Sequence, residues 1–162
     1  MPDWIEINPV IDMSVVSLCR KPYYNHPKGC PNFNKRGACP PKAKPLDQII
    51  DLSKPVYAIY NKFDFGSHVD KMRNKFPDWS EYQVRCVLYW QGTARKQLKE
   101  KVKKFKEDFP KHLVLFCAEA NGVNWTETMK NVGIELEWPP QKWTFQIVLA
   151  GERLKKDFET KI

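Results

Sequence analysis

No uninterrupted run of about 18 apolar residues occurs in the chain, which excludes a hydrophobic membrane-spanning helix. The opening MPDWIEINPV lacks the basic segment and apolar stretch of a secretory leader, so a cytoplasmic location is expected. No serine–histidine–acid set, phosphate-binding glycine loop or dinucleotide fingerprint stands out, so any chemistry would have to be carried by a cofactor. Internal repeats and low-complexity segments are also missing. The most local absence is of negative charge: from Cys19 to Pro45 (CRKPYYNHPKGCPNFNKRGACPPKAKP) there is no acidic residue.

What is present starts from the 5 cysteines, an odd number. In a reducing compartment thiols are more often ligands, nucleophiles or core residues than disulfides. Hydrophobic content of 42% and charged content of 28% are ordinary for a soluble globular protein, and 162 residues suffice for one domain with its own core. Residues 1–45 form an N-terminal segment with a cysteine-rich loop, 46–150 the body, and 151–162 a charged tail expected to fray. The net charge of +8 permits attraction to nucleic acid, anionic lipid or phosphorylated small molecules without assigning any of them.

Periodicity yields a coarse set of elements. Residues 1–18 mix Trp4, Ile5, Ile7, Val10 and Ile11 without a decided period, and Leu46 to Leu52 has short helical spacing. VYAIYNKFDF, from Val56 to Phe65, predicts a strand, and Ser67 to Phe76 a helix capped by Ser67. Ser80 and Gln83 have the form of a capping box, and Tyr82, Cys86, Trp90, Ala94, Leu98, Val102 and Phe105 recur at helical spacing. A helix from Ser80 to Asp108 follows, with Gly92 the weak point. Its lysine-rich second half reads as a solvated face, because Glu100, Glu107 and Asp108 interrupt the positive field. HLVLFCA predicts a buried strand in the middle of a parallel sheet. Asn124 caps a helix that carries Trp125, Met129 and Val132 and stops at Gly133; WTFQIVL, from Trp143 to Leu149, is the last strand. Alternating strands and helices predict an α/β fold with three or more mostly parallel strands.

Three cysteines, Cys19, Cys30 and Cys39, fall in the acid-free stretch, separated by ten and eight residues. Those gaps match neither the paired cysteines of zinc ribbons nor the runs of ferredoxins. The local chemistry carries more weight. Cys30 and Cys39 each precede a proline, Gly29 and Gly37 lie just ahead of them, and seven lysines and arginines surround the set. Positive charge favours the thiolate, and loop amides donate to sulfur. The pattern points to a metal centre held by Cys19, Cys30 and Cys39: a [4Fe–4S] cluster with one open iron, or a zinc site completed by His26. Unligated loop cysteines and a merely hydrogen-bonding His26 are the plain alternatives. Cys86 and Cys117 read as core residues, Cys117 with more ambiguity because it ends a strand.

The run CPNFNKRGACPP, with Cys19 upstream, resembles the signature of the predicted metal-binding proteins grouped as the domain of unknown function 2284, whose cysteine-rich stretch closes in Cys-Pro-Pro, here Cys39, Pro40 and Pro41. LFCAEANGVNWTETMKNVGIELEW is similar to the C-terminal portion of that family, where a strand leads to a short helix and a Gly-Ile-acid motif, here Gly133, Ile134 and Glu135. Further cysteines follow the strand in the family, whereas only Cys117 stands nearby here. That departure argues against a second cluster; the resemblance itself implies metal or iron–sulfur binding and supplies no reaction.

Three functions are compatible with these residues. An enzyme would use an open cluster iron on a small or nucleotide-like substrate, with Glu119, Asn121, Asn124 and Glu127 as the first acid–base or binding candidates. A non-catalytic module would bind nucleic acid through the basic loop with Tyr23, Tyr24 and Phe33. An electron-transfer protein would need only the redox couple.

Overall fold

A computed structural model of the chain describes residues 3–20 and 43–155. Its centre is one four-stranded sheet in the order β1-β2-β4-β3, built from β1 (Trp4–Ile7), β2 (Val56–Asp64), β3 (Leu113–Leu115) and β4 (Trp143–Gly151). Every pair is antiparallel: Trp4 lies opposite Ile59, Val56 opposite Gly151, and Leu113 opposite Gly151 on the other side. The mostly parallel sheet expected from the alternation of elements is therefore wrong. The reason is specific. β2 and β3, joined through helices, do run in the same direction, but β4 inserts between them and pairs with both. HLVLFCA is not an interior parallel strand either. It forms only the three-residue edge strand β3, and Phe116 beyond it is 58% exposed. Its apolar character arises because protein covers both faces of the sheet: Leu113 and Leu115 pack on one side and Val114 on the other.

On one face lies α3 (Gln91–Asp108), whose Leu98 and Phe105 pack with Ile59, Val148 and Ala150. Ala94, Leu98, Val102 and Phe105 hold the intervals of four, four and three residues that the sequence predicts for one helix face. The N-terminal part of the expected helix is not continuous with it. Ser80 and Gln83 make both hydrogen bonds of the capping box, but α2 (Glu81–Val84) lasts one turn, and a 3-10 turn (Val87–Tyr89) precedes α3. Cys86 is extended, at φ −61° and ψ 131°, and the Trp90 indole N–H donates to the Arg85 carbonyl, so the chain is redirected before Gly92. Cys86 consequently sits on no helical stripe and is partly exposed. Before α2, α1 (Phe65–Lys75) is capped by Asp64, not Ser67: the Asp64 carboxylate accepts from the Ser67 N–H at 3.0 Å and from its hydroxyl at 2.8 Å.

The opposite face is covered by the 3-10 turns Leu46–Gln48 and Ala118–Asn121 and by α4 (Trp125–Lys130), with Leu46, Ile50, Val123, Trp125 and Met129 against Val56, Ala58, Tyr60 and Leu149. Asn124 caps α4 as expected, accepting from the Glu127 N–H, and Gly133 follows at φ +82°. Gly151, placed by the sequence at the start of a fraying tail, is buried in β4, and Arg153 bridges Ile50. No helix among the described residues is long and apolar enough to cross a membrane.

Candidate functional site

The segment Cys117–Asn124 positions everything that the sequence singled out near the end of β3. Its middle is the 3-10 turn Ala118–Asn121, closed by Gly122 at φ +93°, a left-handed conformation that glycine adopts without Cβ strain. From there the chain pairs back on the N-terminal segment. Ile11 bridges Val123, the Asp12 N–H donates to the Gly122 carbonyl at 2.7 Å, and the Asn124 N–H donates to the Val10 carbonyl at 2.9 Å. The Val10 N–H is satisfied by the Thr128 hydroxyl at 2.9 Å. Beyond this seam a 3-10 turn, Met13–Arg20, packs on Ala118–Asn121. Asn121, 5% exposed, donates from its side chain to the Lys44 carbonyl at 2.7 Å.

These contacts bear on the metal candidates. Cys30, Cys39 and His26, with Tyr23, Tyr24 and Phe33, lie outside the described residues, as does the side chain of Cys19, whose backbone closes the turn Met13–Arg20. Both flanks of that stretch are described, and both are fastened to one short turn: Met13–Arg20 before it and Lys44 after it. Among the described residues, no three His, Cys, Asp or Glu side chains are grouped to hold a metal ion. A centre of the expected kind would therefore draw on the cysteines of the stretch. Closing a long segment costs loop entropy before any ligand bond forms, and the fastened ends meet part of that cost in advance.

Beside the turn opens a cleft of about 210 Å³, walled by Glu119 and Asn124, by Trp125 and Thr126 at the start of α4, by Glu137 and Trp138, and by Thr144 and Phe145 of β4. Glu119 is exposed as a residue, yet its carboxyl is crowded by protein, and that crowding pushes its pKa above the ordinary glutamate value; its own backbone N–H and then the Cys117 thiol donate to it and oppose the rise. Glu137 is the reverse case. Its carboxylate accepts from the backbone N–H groups of Lys142, Trp143 and Gln141, each at 3.2 Å, which hold its pKa below the usual value. Two carboxyl groups on one wall are thus driven apart, one toward the protonated form and one firmly ionised. Trp138, 70% exposed at the rim, is tethered by its indole N–H to the Thr126 hydroxyl at 3.1 Å.

Of the four acid–base candidates read from sequence, the fold brings Glu119 and Asn124 into the cleft. Asn121 holds the Lys44 carbonyl instead, and exposed Glu127 lies off the cleft wall. Glu137, Trp138, Thr144 and Phe145 went unrecognised. The run Glu-Trp-Pro-Pro was the available signal, since a tryptophan beside a diproline is held out of regular structure. No protein-family model, curated protein or solved structure matches the chain.

Proposed function

We propose that the chain is a metal-binding protein of iron–sulfur type, with Cys19, Cys30 and Cys39 as thiolate ligands of a [4Fe–4S] cluster. The observation that supports this reading is the fastening of both flanks of the cysteine stretch to the turn Ala118–Asn121, which brings the ends of a long, acid-free segment to one place. The resemblance carried by CPNFNKRGACPP agrees with it. A cluster with three thiolate ligands supplies an iron open to a further ligand. The chain's own contribution is the Glu119 carboxyl in the cleft beside the turn Ala118–Asn121, whose crowding by protein favours its protonated form relative to a free glutamate, as a general acid requires.

Iron, zinc and acid-labile sulfide should be measured on protein purified without oxygen, beside the Cys39→Ala variant. About four irons and four sulfides per chain, lost in the variant, are expected. One zinc without sulfide would overturn the cluster in favour of a structural site with His26. No metal in either preparation would end the reading altogether.

A further inference from the structure

We propose that the cleft between Glu119 and Trp138 is a binding site for a small protonated amine. The argument starts from charge. The chain carries 27 lysines and arginines against 19 acidic residues, yet the described wall of the cleft contains two glutamates and no lysine, arginine or histidine. Among the described residues the ion pairs are Arg73–Glu81 and those of Asp3 with Lys101 and Lys104; neither cleft glutamate takes part in one. Among the described residues, then, Glu119 has no ion-pair partner, while Glu137 is held by backbone donors and feels the charge of Lys142 nearby.

The remaining wall suits the same ligand. Trp125, Trp138 and Phe145 present three aromatic rings, and Val15, Val123, Leu136 and Ile147 supply apolar surface. Aromatic faces attract an ammonium group electrostatically, more strongly when water is displaced, and the aliphatic surface takes the carbon chain. At about 210 Å³ the space is below the ~300–1,000 Å³ of drug-sized sites, which limits the ligand to an amine of few carbons. Glu137 cannot turn freely to meet it, because three backbone N–H groups occupy its oxygens. Glu119 is the carboxylate that meets the ammonium. Burial raises its pKa in the empty cleft, and an ammonium beside it would reverse that shift.

This inference does not depend on the metal reading. The test is calorimetric titration of the full chain with n-butylammonium, butanol and butyrate, which share a carbon frame and differ in charge. Non-specific attraction to a chain of net charge +8 would favour butyrate, so preference for the cation runs against the field of the whole molecule. Saturable binding of butylammonium is expected, with a Kd on the order of 1 mM and at least roughly tenfold tighter than butanol. Glu119→Gln should bring the amine down to the level of butanol while leaving butanol unchanged. Trp138→Ala, at an exposed rim position, should weaken the amine severalfold in a protein whose circular dichroism is unaltered. Butyrate or butanol binding as tightly as the amine, no saturation by any of the three, or an amine affinity indifferent to Glu119→Gln would each overturn the proposal.

Discussion

Glu119 and Glu137 show how far one residue type can be driven in opposite directions by its surroundings. Because burial raises the Glu119 pKa in the folded chain, its contribution to stability is fully present below the unfolded value of 4.5 and is lost as pH rises through the folded value. Glu119→Gln removes the ionisation. The variant should match the parent in urea midpoint near pH 3 and exceed it at pH 7 to 8, with the gap opening between the two; equal midpoints at neutral pH would show that the carboxyl is solvated and that the cleft does not desolvate it. Glu137 has the opposite sign, since its three backbone donors act only on the ionised form: its contribution is present above 4.5 and disappears as pH falls through its lowered folded value. Neither behaviour was legible in the sequence. Local spacing pointed to Glu119 because it follows a predicted strand, but Glu137 comes to line the same cleft only through the fold of β4 and the loop before it.

At the level of elements, signals carried by a few neighbouring residues transferred faithfully. The Asn124 cap, the Ser80–Gln83 box and the left-handed Gly133 are all local geometry, and all are present. Asn124→Ala removes an acceptor from the first turn of a six-residue helix whose Trp125 and Met129 are core residues. A loss of about 1 kcal/mol is expected in denaturant unfolding, at the middle of the range for such caps; no change would mean that packing alone fixes the start of α4. Signals that require a longer horizon failed. The stripe from Tyr82 to Phe105 kept its period across Arg85–Trp90, yet Tyr82 is 49% exposed, Cys86 is partly exposed, and Trp90 packs near Phe63 and Phe65 rather than on the α3 stripe. Periodicity records which residues are apolar and is blind to a turn that sends one part of the stripe to a different cluster.

At the scale of the whole molecule, the failure to foresee an antiparallel sheet has the same origin. Composition marks β2, β3 and β4 as buried strands, but nothing local says that the last strand in sequence enters between the other two. That insertion leaves β3 at the edge, and Cys117–Asn124, which follows it, fastens the N-terminal segment and Lys44 at one place. Gly122 is the residue on which this depends, for two reasons. Its φ of +93° is a conformation that costs an L-residue about 1–2 kcal/mol, and a Cβ there would meet the Met13 thioether. Gly122→Ala should therefore loosen the seam rather than the sheet. The Asp12 and Asn124 amides, which close it, should exchange with deuterium roughly tenfold faster, the equivalent of about 1.4 kcal/mol, while Ile59 and Val148 in the sheet interior keep their protection. If Cys19, Cys30 and Cys39 hold the metal proposed above, the variant should also release it to a chelator more readily than the parent does, because both flanks of the stretch are fastened to the same turn. Uniform acceleration of all four amides would mean that the seam and the sheet open as one unit. Unchanged metal retention beside a loosened seam would mean that the flanks of the stretch do not shape its binding site.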